Sequence, residues 1–381
     1  MRRLLVLLSA VVAVDTMFYT ALAPLLPHFT ERYDLSKTGA GVLFAVYGAG
    51  VLAAAIPGGI AASRFGPKRA VLFGVVVTAV ATLGFALADS ALMLSVARLV
   101  QGFGSAFSWA GALAWLVAAG PAGRRGALIG TAMGAAVFGA LLGPALGALA
   151  TVAGVRPTFI GISTVGLGMC VWVWRTPGIA AQPQSVGVLR RADRRLVFAL
   201  WLIVLPSLLF GVLDVLAPLT LHANGWGGVA IGALFFTTAA AETVLNPVLG
   251  RFTDRRGRLL PVRLALLGSI AVSLALAWSE TAAVVAVLVF GAAMAYGSFY
   301  TPGMALFSES AERLGIAQGL AFGAMNGAWA AGALVAPAAG GALAQAGGDT
   351  LPYVLLATIC VATLVVVRPS YAQSSSRPSS A

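Results

Sequence analysis

VFALWLIVLPSLLFGVLDVLAPLTL, residues 197–221, is a continuous apolar run with a single charge, Asp214. A helix needs about 20 apolar residues to cross the hydrocarbon of a bilayer. Lipid offers the backbone no hydrogen-bond partner, so such a run must be a helix or a strand of a closed barrel. Barrel strands alternate polar and apolar side chains, and this run does not. Eleven comparable runs fall at about 4–27, 39–62, 70–88, 91–118, 126–150, 155–174, 229–249, 261–279, 282–306, 315–345 and 350–367. The predicted fold class is an all-α membrane protein with 12 transmembrane helices.

Composition agrees. Of the 381 residues, 60% are hydrophobic and only 9% charged, against roughly 25% charged in a soluble domain. Mean hydropathy is +0.95. The 46 glycines suit close helix packing in lipid. Cys170 and Cys360 each sit inside an apolar run and read as small core residues, not a disulfide framework. Arg2 and Arg3 ahead of an apolar run ending in Ala21-Leu22-Ala23 resemble a cleavable signal. Asp15 interrupts that run and Pro24 would follow the cut, so the segment is expected to stay as helix 1.

The longest polar stretch, 176–196, carries Arg190, Arg191, Arg194 and Arg195 and divides the helices six and six. The expected organisation is an N-terminal six-helix bundle at 1–175, a cytoplasmic linker at 176–196, a C-terminal six-helix bundle at 197–368 and a disordered Ser/Pro-rich tail at 369–381. Basic residues in short loops mark the cytoplasmic side. With the N-terminus inside, twenty of the 24 Lys and Arg residues fall inside; Arg32, Lys37 and Arg156 fall outside and Arg98 lies within a span. Both termini are therefore expected in the cytoplasm, in a multi-pass protein of the cell membrane. The net charge of +12 reads as a topology signal, with no nucleic-acid partner.

The halves echo each other. A shift of 189 carries Gly102, Gly126, Gly130 and Gly134 onto Gly291, Gly315, Gly319 and Gly323, and Ala23-Pro24-Leu25 reappears as Ala217-Pro218-Leu219. Such internal duplication marks many transporter folds, with the substrate site between the repeats near mid-membrane.

Three motifs stand out. Gly59-Ile60-Ala61-Ala62-Ser63-Arg64-Phe65-Gly66-Pro67-Lys68-Arg69 joins helices 2 and 3, and Gly250-Arg251-Phe252-Thr253-Asp254-Arg255-Arg256-Gly257-Arg258 repeats it in the second half. A tight Gly turn there carries cations beside helix ends and an anionic leaflet; the alternative is a plain topogenic loop. Arg98, with Gln101, Gly102 and Gly104, lies inside helix 4, where a charge costs roughly 2.5–3.5 kcal/mol and should face a cavity or an acid. The alternative is an arginine snorkelling to the interface. Gly139-x-x-x-Gly143-Pro144-x-x-Gly147 in helix 5 clears one face for close contact and bends the helix; it reads either as a transport motif or as a packing seam.

Together these segments resemble the major facilitator superfamily, and among its members the twelve-span drug:proton antiporters of the vesicular-monoamine-transporter kind. Ser63 stands where the family carries Asp, and only Asp254 keeps the acid. The helix 5 motif resembles the antiporter motif of that group, and Asp15 with Pro24-Leu25-Leu26-Pro27 resembles its helix 1. The resemblance implies two facing bundles that open alternately to each side, with Asp15 binding a proton or a cationic amine. Asn326 occupies an acidic position of those transporters in helix 11, and their helix 10 acid has no counterpart between Met294 and Thr301.

The residues themselves favour Asp15 as the proton-coupling group: a carboxyl in mid-span is neutral when desolvated and charged when a cation such as Arg98 is near. Glu242, with Asn246 one turn later, and Asp214 are further proton-coupling or substrate-charge candidates; Asp214 could also cap an interface. Tyr19, Trp109, Phe235, Tyr296, Tyr300 and Trp329, with Asn246 and Asn326, are candidate substrate-binding residues, since aromatic faces attract organic cations by roughly 0.5–2 kcal/mol. No HExxH, GxSxG or phosphate-cradling loop is present, so no cofactor, metal or enzymatic chemistry is expected. The expectation is a monomeric secondary transporter, exporting a lipophilic or cationic small molecule in exchange for protons. The alternatives are a proton symporter or uniporter importing a metabolite, and a non-transporting membrane sensor.

Overall fold

In the computed structural model, which describes residues 2–120, 125–180, 193–257, 259–316 and 318–367, regular structure is entirely helical. The first half holds α1 (Arg2–Thr20), α2 (Leu22–Arg32), α3 (Lys37–Arg64), α4 (Pro67–Ala86), α5 (Ala91–Ala119), α6 (Arg125–Ala153) and α7 (Val155–Arg175). The second holds α8 (Arg194–Ala223), α9 (Gly228–Arg256), α10 (Leu259–Ala277), α11 (Ala282–Gly297), α12 (Tyr300–Arg313), α13 (Gln318–Gly347) and α14 (Thr350–Val366). Eleven helical segments among the described residues are long and apolar enough to cross a membrane, and Thr350–Val366 is a shorter apolar helix. All twelve expected spans are therefore helical. Most of the linker expected at 176–196 and the tail from 369 lie outside the described residues.

Fourteen helices make twelve spans because two spans are broken. Pro24 has no N–H for the carbonyl of Thr20, four residues back, and its ring crowds that carbonyl. The first span accordingly steps at Ala21, between α1 and α2. Pro302 does the same to the carbonyl of Ser298, and the tenth span steps between Gly297 and Tyr300, dividing α11 from α12.

α8 starts at Arg194, three residues before the expected 197, because Asp193 caps it by accepting from the Leu196 N–H at 2.9 Å. That bond, followed by an ion pair with Arg313, holds the Asp193 carboxyl below the usual carboxylate range. The turns in the two basic motif loops have the same backbone solution. Gly66 has φ +91° and ψ 146°, and Gly257 has φ +77° and ψ 168°, a region open essentially to glycine alone.

Glycine seams set the packing. A Cβ at Gly48 on α3 would lie 2.7 Å from the backbone of Ala333 and Leu334 on α13, and one at Gly41 would fall on the Pro337 carbonyl. α3 and α13, one from each half, thus run backbone against backbone. The Gly139, Gly143 and Gly147 stripe of α6 lies against α1 in the same way, at Ala13, at Met17 and Thr20, and at Ala21 and Pro24. The helix 5 motif is a packing seam, and the helix it seats is the one that carries Asp15.

One end of the molecule carries Arg64, Lys68 and Arg175; Lys68 donates to the carbonyl of Trp174 at 2.7 Å, closing the end of α7. At the opposite end the halves are tied together. His222 Nε2 meets Glu31 Oε1 at 2.7 Å, Lys37 pairs with Asp349, and the Thr38 N–H donates to Gln345 at 3.1 Å. There α9 also packs on α6, Gly232 against Pro144 and Ala148, and Gly228 against Thr151. Toward the basic end, Gly130 and Gly134 on α6 are exposed and an added Cβ would meet nothing within 4 Å.

A Gly48→Val substitution is expected to destabilise the purified protein by about 1–3 kcal/mol through forced separation of α3 from α13. Gly130→Ala should leave the thermal unfolding midpoint unchanged. Equal midpoints for the two variants would contradict this assignment of the seam.

Candidate functional site

Between the halves lies a cavity of about 490 Å³, the size that accepts a drug-like molecule. α1, α3, α5 and α6 form one wall and α8, α9, α11, α12 and α13 the other. Its lining is mostly apolar, with three carboxylates, Asp15, Asp214 and Glu242, and no Lys, Arg or His among the described lining residues.

Asp15 sits mid-helix in α1 and is 5% exposed. Its Oδ2 accepts three hydrogen bonds, from Ser105 Oγ at 2.6 Å, Trp109 Nε1 at 2.8 Å and the Tyr47 hydroxyl at 3.2 Å. Ser105 and Trp109 are one turn apart on α5, so both reach the same oxygen. Glycine at 48 and at 102 lets α13 and α5 close on α3 around Tyr47; a Cβ at Gly102 would fall on the Tyr47 carbonyl.

Arg98 is 2% exposed and makes no ion pair with Asp15. One guanidinium nitrogen donates to the carbonyl of Phe18 at 3.0 Å and to Gln101 Oε1 at 3.4 Å, and the other to the carbonyl of Tyr19 at 3.5 Å. Both carbonyls lie in the last turn of α1, just before the step at Ala21. The Arg98 guanidinium carbon also lies 4.8 Å from the centroid of the Tyr47 ring, a cation–π contact. Tyr47 thus touches Asp15 with its hydroxyl and Arg98 with its ring, and the arginine bears on the acid through space and through that ring. The interfacial alternative for Arg98 does not describe this buried side chain.

On the facing wall Asp214 and Glu242 lie near enough for their charges to interact. Glu242 packs on Gly297, where an added Cβ would stand 2.6 Å from its carboxyl carbon, at the step in the tenth span. Asp214 is one turn before Pro218, which lacks the N–H its carbonyl would otherwise receive.

Tyr19, Trp109, Phe235, Tyr300, Asn326 and Trp329 all line the cavity. Tyr19 packs tilted against Tyr47 at 5.2 Å and edge-on to Trp329 at 5.0 Å, joining the two halves. Tyr296 is a correction to the expected set. It is fully buried inside the second half, hydrogen-bonded to Ser273 at 2.8 Å and edge-on to Phe210 at 5.6 Å, and does not line the cavity. Of the motif positions, Pro144 lines the cavity, Gly59 is buried, and Arg64 and Arg255 are exposed. The side chains of Asn246 and Asp254, and position 250, lie outside the described set.

Sequence reasoning missed Tyr47 and Ser105. A signal for Ser105 was present: Arg98, Gln101, Ser105 and Trp109 recur at helical spacing as a polar stripe on an otherwise apolar α5. Nothing comparable marked Tyr47.

Residues 8–326 and 207–381 match the family model of the Major Facilitator Superfamily. Over 154 residues the chain is 35% identical to a probable vesicular acetylcholine transporter-B of Danio rerio, covering 37% of this chain and 29% of that protein. Over 166 residues it is 32% identical to the vesicular acetylcholine transporter of Tetronarce californica, covering 40% and 30%. Each match thus spans less than a third of the relative's length. The fold is similar to that of the human organic anion transporter MFSD10 (TETRAN), with TM-score 0.74, 16% identity, and 96% and 99% of the two chains covered. It is also similar to the xylose transporter XylE of E. coli, with TM-score 0.75, 13% identity, and 98% and 99% covered.

Arg98→Lys should lower stability by about 1–3 kcal/mol, because one ammonium cannot reproduce the planar fork across the Phe18 and Tyr19 carbonyls. Thermal unfolding of the purified variant measures it; an unchanged midpoint would show that the carbonyl contacts contribute nothing.

Proposed function

The chain belongs to the Major Facilitator Superfamily, and we propose that it is a proton-coupled antiporter that exports a lipophilic organic cation. The observation that carries this reading is the charge of the cavity. Three carboxylates face a largely apolar space edged by Tyr19, Trp109, Phe235, Tyr300 and Trp329, with no basic side chain among the described lining residues. Carboxylates and aromatic faces both favour a cation, and the apolar remainder favours a hydrophobic one. The vesicular acetylcholine transporters to which the chain is similar are named for a cationic substrate, which supports the same class here.

Exchange follows from competition for charge. A deprotonated Asp15 attracts the substrate cation; a proton arriving on Asp15 cancels that attraction and releases it. Asp214 and Glu242, on the opposite wall, supply a second anionic contact for the same substrate or a second proton site. We take the basic end, where Gly130 and Gly134 meet no neighbour, as the open side of the cavity; the other end is tied by Glu31 with His222 and Lys37 with Asp349. Placing the basic end in the cytoplasm of a cell-membrane protein, with both termini inside, makes this the inward-open half of the cycle. Rocking of one half against the other about the α3–α13 seam would expose the same site to the other side.

The test uses proteoliposomes holding the purified protein, with tetraphenylphosphonium as the probe cation and an imposed proton gradient. Wild-type protein should move the probe against the proton flux, and Asp15→Asn should reduce this to background while eluting and unfolding like wild type. Gradient-coupled exchange that persists in Asp15→Asn would overturn the assignment, and probe movement in the same direction as protons would replace antiport by symport.

A further inference from the structure

A second, much smaller space adjoins Asp15. It measures about 20 Å³, room for one water-sized molecule, and is lined by residues of α1, α4, α5 and α7. Three buried polar atoms without a protein hydrogen-bond partner belong to residues on its wall: Asp15 Oδ1, Thr78 Oγ1 and Ser108 Oγ. Their residues are no more than 5% exposed. The remaining wall residues are apolar.

The two hydroxyls are exceptions to local habit. Hydroxyls in membrane helices usually bond the carbonyl one turn back, and Thr16, Thr20 and Thr82 do so here. Thr78 and Ser108 leave the carbonyls of Gly74 and Gly104 unused. A buried hydroxyl that forgoes its bond is destabilised unless something else answers it.

Asp15 itself divides its two oxygens. The donors to Oδ2, Tyr47, Ser105 and Trp109, all line the central cavity, whereas Thr78 and Ser108, whose unpartnered hydroxyls lie beside Gly104 and Gly74, line the small space. A carboxylate oxygen offers about two lone-pair sites, so Oδ2 is saturated by three donors and a proton finds free capacity at Oδ1.

We propose that the small space is a hydration site, in which one water bridges Asp15 Oδ1 to Thr78 and Ser108, and that the transported proton resides on Oδ1 facing that water. The proposal rests on Asp15 being the proton-binding group. With Asp15 charged, the water donates to Oδ1 and accepts from a hydroxyl. With Asp15 protonated, the new Oδ1–H donates to the water, which turns and donates to a hydroxyl oxygen. Only groups that both donate and accept can follow this reversal, and Ser and Thr do. Proton and organic cation then address opposite faces of one carboxyl group, so the cation need not displace the bound proton sterically. Thr78 and Ser108 act as positioning residues.

Infrared difference spectra of the purified protein between acid and alkaline pH, in ordinary and in heavy-oxygen water, test this without any transport assay. A carboxylic acid C=O band that disappears in Asp15→Asn should be accompanied by a water O–H band that shifts in heavy-oxygen water. Thr78→Val combined with Ser108→Ala should remove the water band and shift the C=O band; Thr78→Val alone, which conserves volume, should weaken the water band; Thr78→Ser should keep both bands. Proton-driven exchange in the double variant should fall about tenfold, the loss of roughly one hydrogen bond's worth of stabilisation. Retention of the water band in the double variant, or its replacement by a band that requires added sodium, would overturn the hydration site while leaving Asp15 as the proton carrier. Absence of any Asp15-dependent acid band would overturn the proton-carrier reading itself.

Discussion

Hydrocarbon gives a charged side chain no partner, and the architecture of this protein follows from how four such side chains are answered. Each would cost roughly 2.5–3.5 kcal/mol at mid-membrane on insertion scales. Arg98 is answered by backbone: the carbonyls of Phe18 and Tyr19, beside the Pro24 step, accept its guanidinium. Asp15 is answered by three side-chain donors on two other helices. Asp214 and Glu242 face the cavity instead.

This pattern gives the two walls of the cavity different characters. The Asp15 wall is a fixed network, in which Tyr47 and Trp109 are held by close glycine-mediated contact of α3 and α5. The opposite wall lies along the step in the tenth span, where Gly297 and Pro302 interrupt the ladder beside Glu242. The acid of the first wall is held at one oxygen by three donors, and the acids of the second lie beside a broken helix.

The span count and the glycine seam of α6 were legible because lipid imposes length and composition directly. Apolar runs such as 197–221 could be read one by one, and Gly139, Gly143 and Gly147 announced a face cleared for contact. Rotation about each helix axis was much less legible. With apolar side chains all round, nothing in a single span says which face meets the cavity, so Tyr296 was grouped with Tyr300 although one points into a bundle and the other into the cavity. Arg98 was paired in expectation with Asp15 because side-chain reasoning sees acids and not backbone carbonyls. Tyr47 was missed for the same reason: its role comes from a ring and a hydroxyl meeting two different helices, a relation that exists only once α1, α3 and α5 are packed.

The ties that hold the non-basic end shut, Glu31 with His222 and Lys37 with Asp349, are partly solvent-exposed. Exposed pairs of this kind are worth roughly 0–1 kcal/mol each, far less than backbone-to-backbone contact along a whole helix. These pairs alone therefore contribute little to holding that end closed. In the antiport reading proposed above, a change in the charge occupying the chamber would outweigh them.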